Sequence, residues 1–325
     1  MARRISRLLA LSALAWAATA PAQDANITLP VPEIERMMAA PELTIVSAEI
    51  SRPKAKGDIT LKADVSFEGK PPIRFKLRKA EPGADTFNNV PRYDMAAYEL
   101  QKLFLDPNEY VVPPTALRFI SLAEFSKYSP GVVRTFPGAE QVLAVVQYWL
   151  QEVKVVADVY DAALFASDAG YARSVGQLNV LTYLIEHGDA NVGNFLLSRA
   201  ETSPRAFSVD NGVAFAYNES DRSDAWKYLR VPSLPADTVA RLRALTLDDL
   251  QRRLGVLAQW RLVDGRWISE PPGGNLAPPR GVRQEDSVVQ LGLTKLEIAQ
   301  VDRRRKKLLE LVDDGRVELV EEKRP

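Results

Sequence analysis

The sequence predicts an α+β protein in two lobes, strand-rich at first and mainly helical afterwards, with a cleft expected between them. Two observations carry this. Residues 43–79 hold three β-rich runs separated by Gly/Pro-containing breaks. From about Ala157 onward helix-forming residues dominate, so the change of character falls near 148–152. The expected division is therefore 1–22 a leader, 23–42 an extension, 43–150 the first lobe and 151–325 the second.

The leader is read first. "MARRISRLLALSALAWAATAPAQ" has a basic start at Arg3, Arg4 and Arg7, then an apolar run from Leu8 to Ala18, then "APA" ending at Ala22. That is the three-part pattern of a secretory signal peptide, and the apolar run is too short to span a bilayer. Export to a periplasm or the medium follows, with Gln23 as the mature start and no integral membrane span. Without those residues the 42 cations fall to 39 against 42 acids. A mildly acidic chain argues against nucleic acid as a partner. With no cysteine and one histidine, the usual zinc sites are excluded, which leaves hard cations on oxygen ligands.

The strands of the first lobe are "ELTIVSAEI", "DITLKADVSF" and "PIRFKLRKA", broken by "RPKAKG" and "EGKPP". A loop, "EPGADTFNNVPR", leads into a helix in "YDMAAYELQKLFL", and "DPNEYVVPP" stops it, since proline and its predecessor resist helix. "QVLAVVQYWL" is a further apolar strand. In "SVGQLNVLTYLIEHG" the apolar Val175, Leu178, Leu181, Leu184 and Ile185 mark a helical face. "FLLS" and "AFSV" are two short strands joined by the polar "RAETSPR". "TLDD" at Thr246 and "TKLE" at Thr294 resemble capping boxes and open two helices, with the loop "EPPGGNLAPPRG" between them. The basic run at 303–307 reads as the solvated face of the last helix.

The chemistry concentrates in "EHGDANVGNFLLSRAETSPRAFSVDNGVAF", which begins at Glu186 and includes the only histidine, His187. Phosphoryl transfer needs a carboxylate to orient a hydroxyl and take its proton. It also needs an amide oxygen and a second carboxylate to hold Mg²⁺ or Mn²⁺, and a lysine on the phosphates. Asp189 and Asn194 stand five apart after a helix and before a strand, and Asp210 opens "DNG" after the second strand. A hairpin between them would bring Asn194 and Asp210 to one ion, with Gly212 freeing the turn.

"HGDANVGNFL" resembles the catalytic loop of aminoglycoside-phosphotransferase-like kinases, and equally the Asp-x-x-x-Gly-Asn loop of bacterial relatives of the phosphatidylinositol kinases. "VDNGVAF" resembles the metal-binding segment of the secretory-pathway (Golgi casein kinase) family. The strand ending at Lys76 and the helix "YDMAAYELQKLFL" followed by "VVPP" resemble that family's lysine strand and glutamate helix. The likeness implies an atypical protein-kinase-like fold with a strand-rich N-lobe and a mainly helical C-lobe.

It implies Asp189 as the catalytic aspartate, Asn194 and Asp210 as metal ligands, and Lys76 on the phosphates of ATP, paired with Asp94. Two departures stand out. Asp94 occupies the place of the family's glutamate, one methylene short, and Glu99 is the alternative acid, about 140° further around the helix. The segment over the nucleotide offers only Gly57 and Gly69. His187 is open between supporting the catalytic loop and a local hydrogen bond. The expected activity is metal-dependent transfer of the ATP γ-phosphate to a hydroxyl-bearing acceptor (protein, lipid or small molecule). The alternatives are a pseudokinase acting as a binding module and a kinase-fold AMPylase.

Overall fold

The computed structural model describes residues 25–51, 60–86, 90–215 and 225–321; the leader at 1–22 and the segment holding Gly57 lie outside them. A short helix α1 (Val31–Ala39) precedes strands β1 (Leu43–Ile50), β2 (Thr60–Phe67) and β3 (Ile73–Lys79). Burial alternates residue by residue along β2, as a strand with one covered face requires. Helix α2 (Pro91–Gln101) starts with proline at its first turn, where the missing N–H costs nothing. Strand β4 (Thr115–Ser121), the one-turn helix α3 (Leu122–Phe125) and strand β5 (Gln141–Tyr148) complete this part. The five strands form an antiparallel sheet in the order β1-β2-β3-β5-β4, with β5 buried along its whole length.

The second part begins with β6 (Val153–Val155), α4 (Ala162–Ser167) and the central helix α5 (Ala169–Ile185). Every residue of α5 from Ser174 to Ile185 is buried, so it is surrounded by protein rather than presenting one face. Strands β7 (Phe195–Ser198) and β8 (Ala206–Ser208) pair antiparallel as the expected hairpin, with Phe195 opposite Ser208. Then follow β9 (Ser233–Pro235), α6 (Ala236–Ala244) and α7 (Leu247–Leu254).

Next come β10 (Ala258–Val263), β11 (Arg266–Glu270), β12 (Val282–Glu285) and β13 (Val288–Leu291), and last α8 (Lys295–Asp313) and β14 (Glu318–Val320). Both expected capping boxes are present: the Thr246 and Thr294 hydroxyls accept from the third-residue N–H groups of α7 and α8, while Asp249 and Glu297 return the bond.

Two features go beyond the sequence reading. Residues 258–291 form a four-stranded sheet, β11-β10-β13-β12, inside the part read as helical. Its Trp260, Trp267, Val289 and Leu291 bury against Leu117, Leu143 and Val145 of the first sheet. The basic run at 303–307 is not a solvated face throughout, because Arg304 and Arg305 are buried. Arg305 donates to Asp302 at 2.7 Å and to the Leu242 carbonyl at 3.0 Å. A guanidinium that can fork between several acceptors is tolerated inside where a lysine is not.

Among the described residues, the larger of two apolar clusters spans the two parts. It takes in Leu61, Phe75 and Leu77 of the first sheet, Ala96 and Leu100 of α2, Leu178 and Leu181 of α5, and Ile298 and Val301 of α8. Each of the larger side chains (Leu, Ile, Val, Phe) contributes about 1.5–3 kcal/mol by burial, so the helix that carries Asp94 is held on several sides.

Candidate active site

The loop after α5 is set by the way that helix ends. Glu186 adopts the left-handed conformation (φ 50°) and its N–H closes onto Thr182 and Tyr183. Arg304 of α8 secures the same end, donating to the Leu184 carbonyl at 2.8 Å and to the Glu186 carboxylate at 2.7 Å. A cation at a helix C-terminus is favoured by the helix dipole. The chain then enters His187-Gly188-Asp189 with its direction determined.

Three backbone hydrogen bonds join this loop to the "DNG" segment, and a fourth joins that segment to the entry of α2. Phe215 N–H donates to the Ile185 carbonyl at 2.6 Å, Gly188 N–H to Val213 at 2.8 Å, Val209 N–H to Asn194 at 2.8 Å, and Val90 N–H to Gly212 at 3.0 Å. The last ties the entry of α2 to the same segment. A side chain at Gly188 would meet Val213 Cγ1 at 3.2 Å, so glycine permits the approach. The sharp turn expected at Gly212 instead falls on Asp210, whose φ is 66°. Aspartate is among the few residues besides glycine that visit this region readily.

Within the loop, Asn194 Nδ2 donates to the Asp189 carbonyl at 2.6 Å and to its Oδ2 at 3.2 Å, while Asn191 donates to Oδ1. Asn194 thus turns its donor to Asp189 and its amide oxygen the other way. The Asp189 N–H donates to His187 Nδ1 at 3.2 Å. His187 is fully buried, packs edge-on against Phe195 with ring centroids 5.3 Å apart, and burial pushes its imidazole down to about 4. It is neutral at neutral pH and accepts the bond that shapes the loop.

Strand β3 supplies the cations. Lys76 Nζ lies 3.3 Å from the Asp210 carboxylate. Lys79, on the opposite face, pairs with Glu81. Asp94 is buried and projects from α2 toward β3, whereas Glu99 points away and pairs with Lys102 at 2.6 Å and Arg253 at 2.5 Å. Between the two candidate acids, Asp94 is the one on this side of the helix.

The partner of Asp94 is not the one expected. Arg78, two residues beyond Lys76 and on the same face of β3, donates through NH2 to Asp94 and through NH1 to Asp210. Its side chain and that of Asp94 are each 2% exposed, against 35% for Asp210. Burial pushes the Asp94 carboxyl up from its ordinary range, and the Arg78 guanidinium opposes that. Sequence reasoning passed over Arg78, although strand alternation placed it beside Lys76.

A hydra Fam20 solved with sugar superposes with a TM-score of 0.57 at 13% identity, over 92% of this chain and 96% of that one. The chain has a Fam20-like atypical kinase fold. The Golgi casein kinase superposes with a TM-score of 0.52 at 12% identity, over 87% of this chain and 74% of that one. Its structure with Mn/ADP bound gives 0.52 at 13% identity, over 86% and 74%. No family model and no curated protein matches the sequence.

Asp210 and Asn194 offer hard oxygen atoms, but among the described residues no three His, Cys, Asp or Glu side chains cluster as a complete site. The two oxygen donors present would fit Mg²⁺, which is commonly held by one or two protein side chains together with substrate phosphates.

Proposed function

We propose that this chain is an exported atypical kinase that transfers the γ-phosphate of ATP to a hydroxyl-bearing acceptor with Mg²⁺ or Mn²⁺. The observation that carries the reading is the gathering of Lys76, Asp94, Asp189, Asn194 and Asp210 from four separate elements around one point of a kinase fold. The leader pattern in residues 1–22 supports export.

In this reading Asp189 orients the acceptor hydroxyl and takes its proton. The hydroxyl oxygen bonds to the γ-phosphorus as the bond to the β–γ bridging oxygen breaks, and ADP leaves with that electron pair. Asn194 and Asp210 would hold the metal ion, which when bound neutralises phosphate charge. Lys76 steadies the phosphates, and Asp94 keeps the cations of β3 in place.

The Asp210→Ala variant tests the reading. Titration calorimetry with Mn²⁺ and ATP together is expected to show affinity lower by about 10–100-fold, the worth of one charge-assisted contact. Wild type should bind Mn²⁺ far more weakly without nucleotide than with it. Unchanged affinity in Asp210→Ala would remove the metal assignment.

One observation favours a binding module instead: Asp210 already faces two cations, Lys76 and Arg78. Mass spectrometry after incubation with ATP and Mn²⁺ separates the readings. An added phosphate supports the kinase, an added adenylate supports AMPylation, and binding without transfer to any acceptor supports the module.

A further inference from the structure

Lysine and arginine on one strand face do different work when the acids around them come from different elements. Arg78 is buried at 2% exposure and uses separate nitrogens for separate acids. NH2 meets Asp94, 16 residues along the chain in α2, and NH1 meets Asp210, 132 residues along the chain in the "DNG" segment. The Asp94 carboxylate also accepts from the Asn211 backbone N–H, which follows Asp210 directly. Asn211 is itself buried and receives the Ser208 hydroxyl at 2.7 Å. Helix, strand and "DNG" segment are therefore joined by one guanidinium and one carboxylate.

We propose that Arg78 is a positioning residue for phosphoryl transfer: its fork ties Asp94 to Asp210, sets where the Asp210 carboxylate stands, and leaves Lys76 to engage the phosphates. The inference rests on the kinase reading for its functional consequence. Its physical basis is independent of that reading. A planar guanidinium presents donors on two sides and bridges two carboxylates, whereas an ammonium on the same stem is a single point charge. Aspartate at position 94 is short, and the fork of Arg78 brings the cation to it. With Asp94 bonded to Arg78, Lys76 pairs with the half-exposed Asp210 at 3.3 Å. Arg78 also shares Asp210 with any metal, so it trades some metal affinity for a defined carboxylate position.

The test uses Arg78→Lys, which keeps the charge but cannot bridge. It also uses the pair Arg78→Met with Asp94→Asn, which removes both buried charges together and so avoids stranding one. Steady-state transfer is measured against acceptor and against Mn²⁺ at saturating ATP. Both forms are expected to fold and to lose about tenfold or more in kcat, the worth of one charge-assisted hydrogen bond. KM for the acceptor should stay unchanged, and the Mn²⁺ concentration at half-maximal rate should not rise. A merely structural role would not yield a kcat loss with metal affinity preserved.

Wild-type kcat in Arg78→Lys overturns the proposal, as does a loss that excess Mn²⁺ and ATP fully restore. If wild type transfers nothing, the kinase reading has failed, and amide hydrogen exchange then decides the tether separately. Faster exchange confined to 90–101 and 206–215 in Arg78→Lys upholds it, and exchange unchanged in both segments removes it.

Discussion

Asp189→Asn is expected to lower transfer by about 10²–10⁴-fold, the range of a lost general base. The substitution keeps size and planarity but removes the charge and the basicity. Asn191 and Asn194 both donate to the Asp189 carboxylate, so its position is supported from two sides before any acceptor arrives. Replacing the acceptor oxygens with an amide puts a donor against a donor at one of these contacts. Part of the loss will therefore come from altered orientation. Nucleotide affinity should change little, because Asn194 and Asp210 remain and the carboxylate acts mainly in the transition state. Calorimetry beside a radiolabelled-ATP transfer assay reads both quantities. Full activity in Asp189→Asn would show that this mechanism is wrong.

The second large effect concerns stability, and it joins α2 to α8. The Glu297 carboxylate accepts from Arg92 NH1 at 2.7 Å, from the Tyr93 hydroxyl at 2.5 Å and from the Thr294 N–H at 2.7 Å. Arg92 and Tyr93 directly precede Asp94, so this contact anchors the helix that carries it. Glu297→Ala strands the buried Arg92 guanidinium and should cost about 3–5 kcal/mol. The shift in denaturation midpoint measures it.

The pH dependence has a definite sign. Burial disfavours the Glu297 charge, but the bonds from Arg92 and Tyr93 outweigh it and hold the carboxyl below its ordinary value of 4.5. A depressed folded value means stability that is present above about pH 4.5 and lost as pH falls through the folded value. The stability gap between wild type and Glu297→Gln should accordingly be widest at pH 7 and close on acidification. A gap of constant size down to pH 3 would contradict the linkage.

Much of this was readable from residues near one another in the chain. The strands β2 and β3 and the threonine boxes of α7 and α8 are local signals, and those elements formed where they were read, whereas α2 begins two residues before the expected start, on Pro91, and ends at Gln101. Strand β4 was not read, because "VVPPTALRFIS" begins with prolines that signal loop. The sheet of β10 to β13 was not read either. Its strands are four to six residues long and show mixed burial, so no apolar period develops within them. They become a sheet by pairing with one another and by covering Leu117, Leu143 and Val145, which lie far away in sequence.

The sequence by itself determined the fold class and the hairpin that brings the "HGD" loop, Asn194 and "DNG" together, since each of these signals is local. Only the tertiary structure decided the ion pairs among them. Charged residues at 303–307 and at position 78 look alike in a sequence, as solvent-facing cations. Burying an arginine is unfavourable until acceptors from distant elements meet it. Asp94 and Asp210 do this for Arg78, and the end of α5 does it for Arg304. Those acceptors lie 16, 132 and 120 residues away along the chain, beyond the reach of any local pattern, and packing alone brings them together.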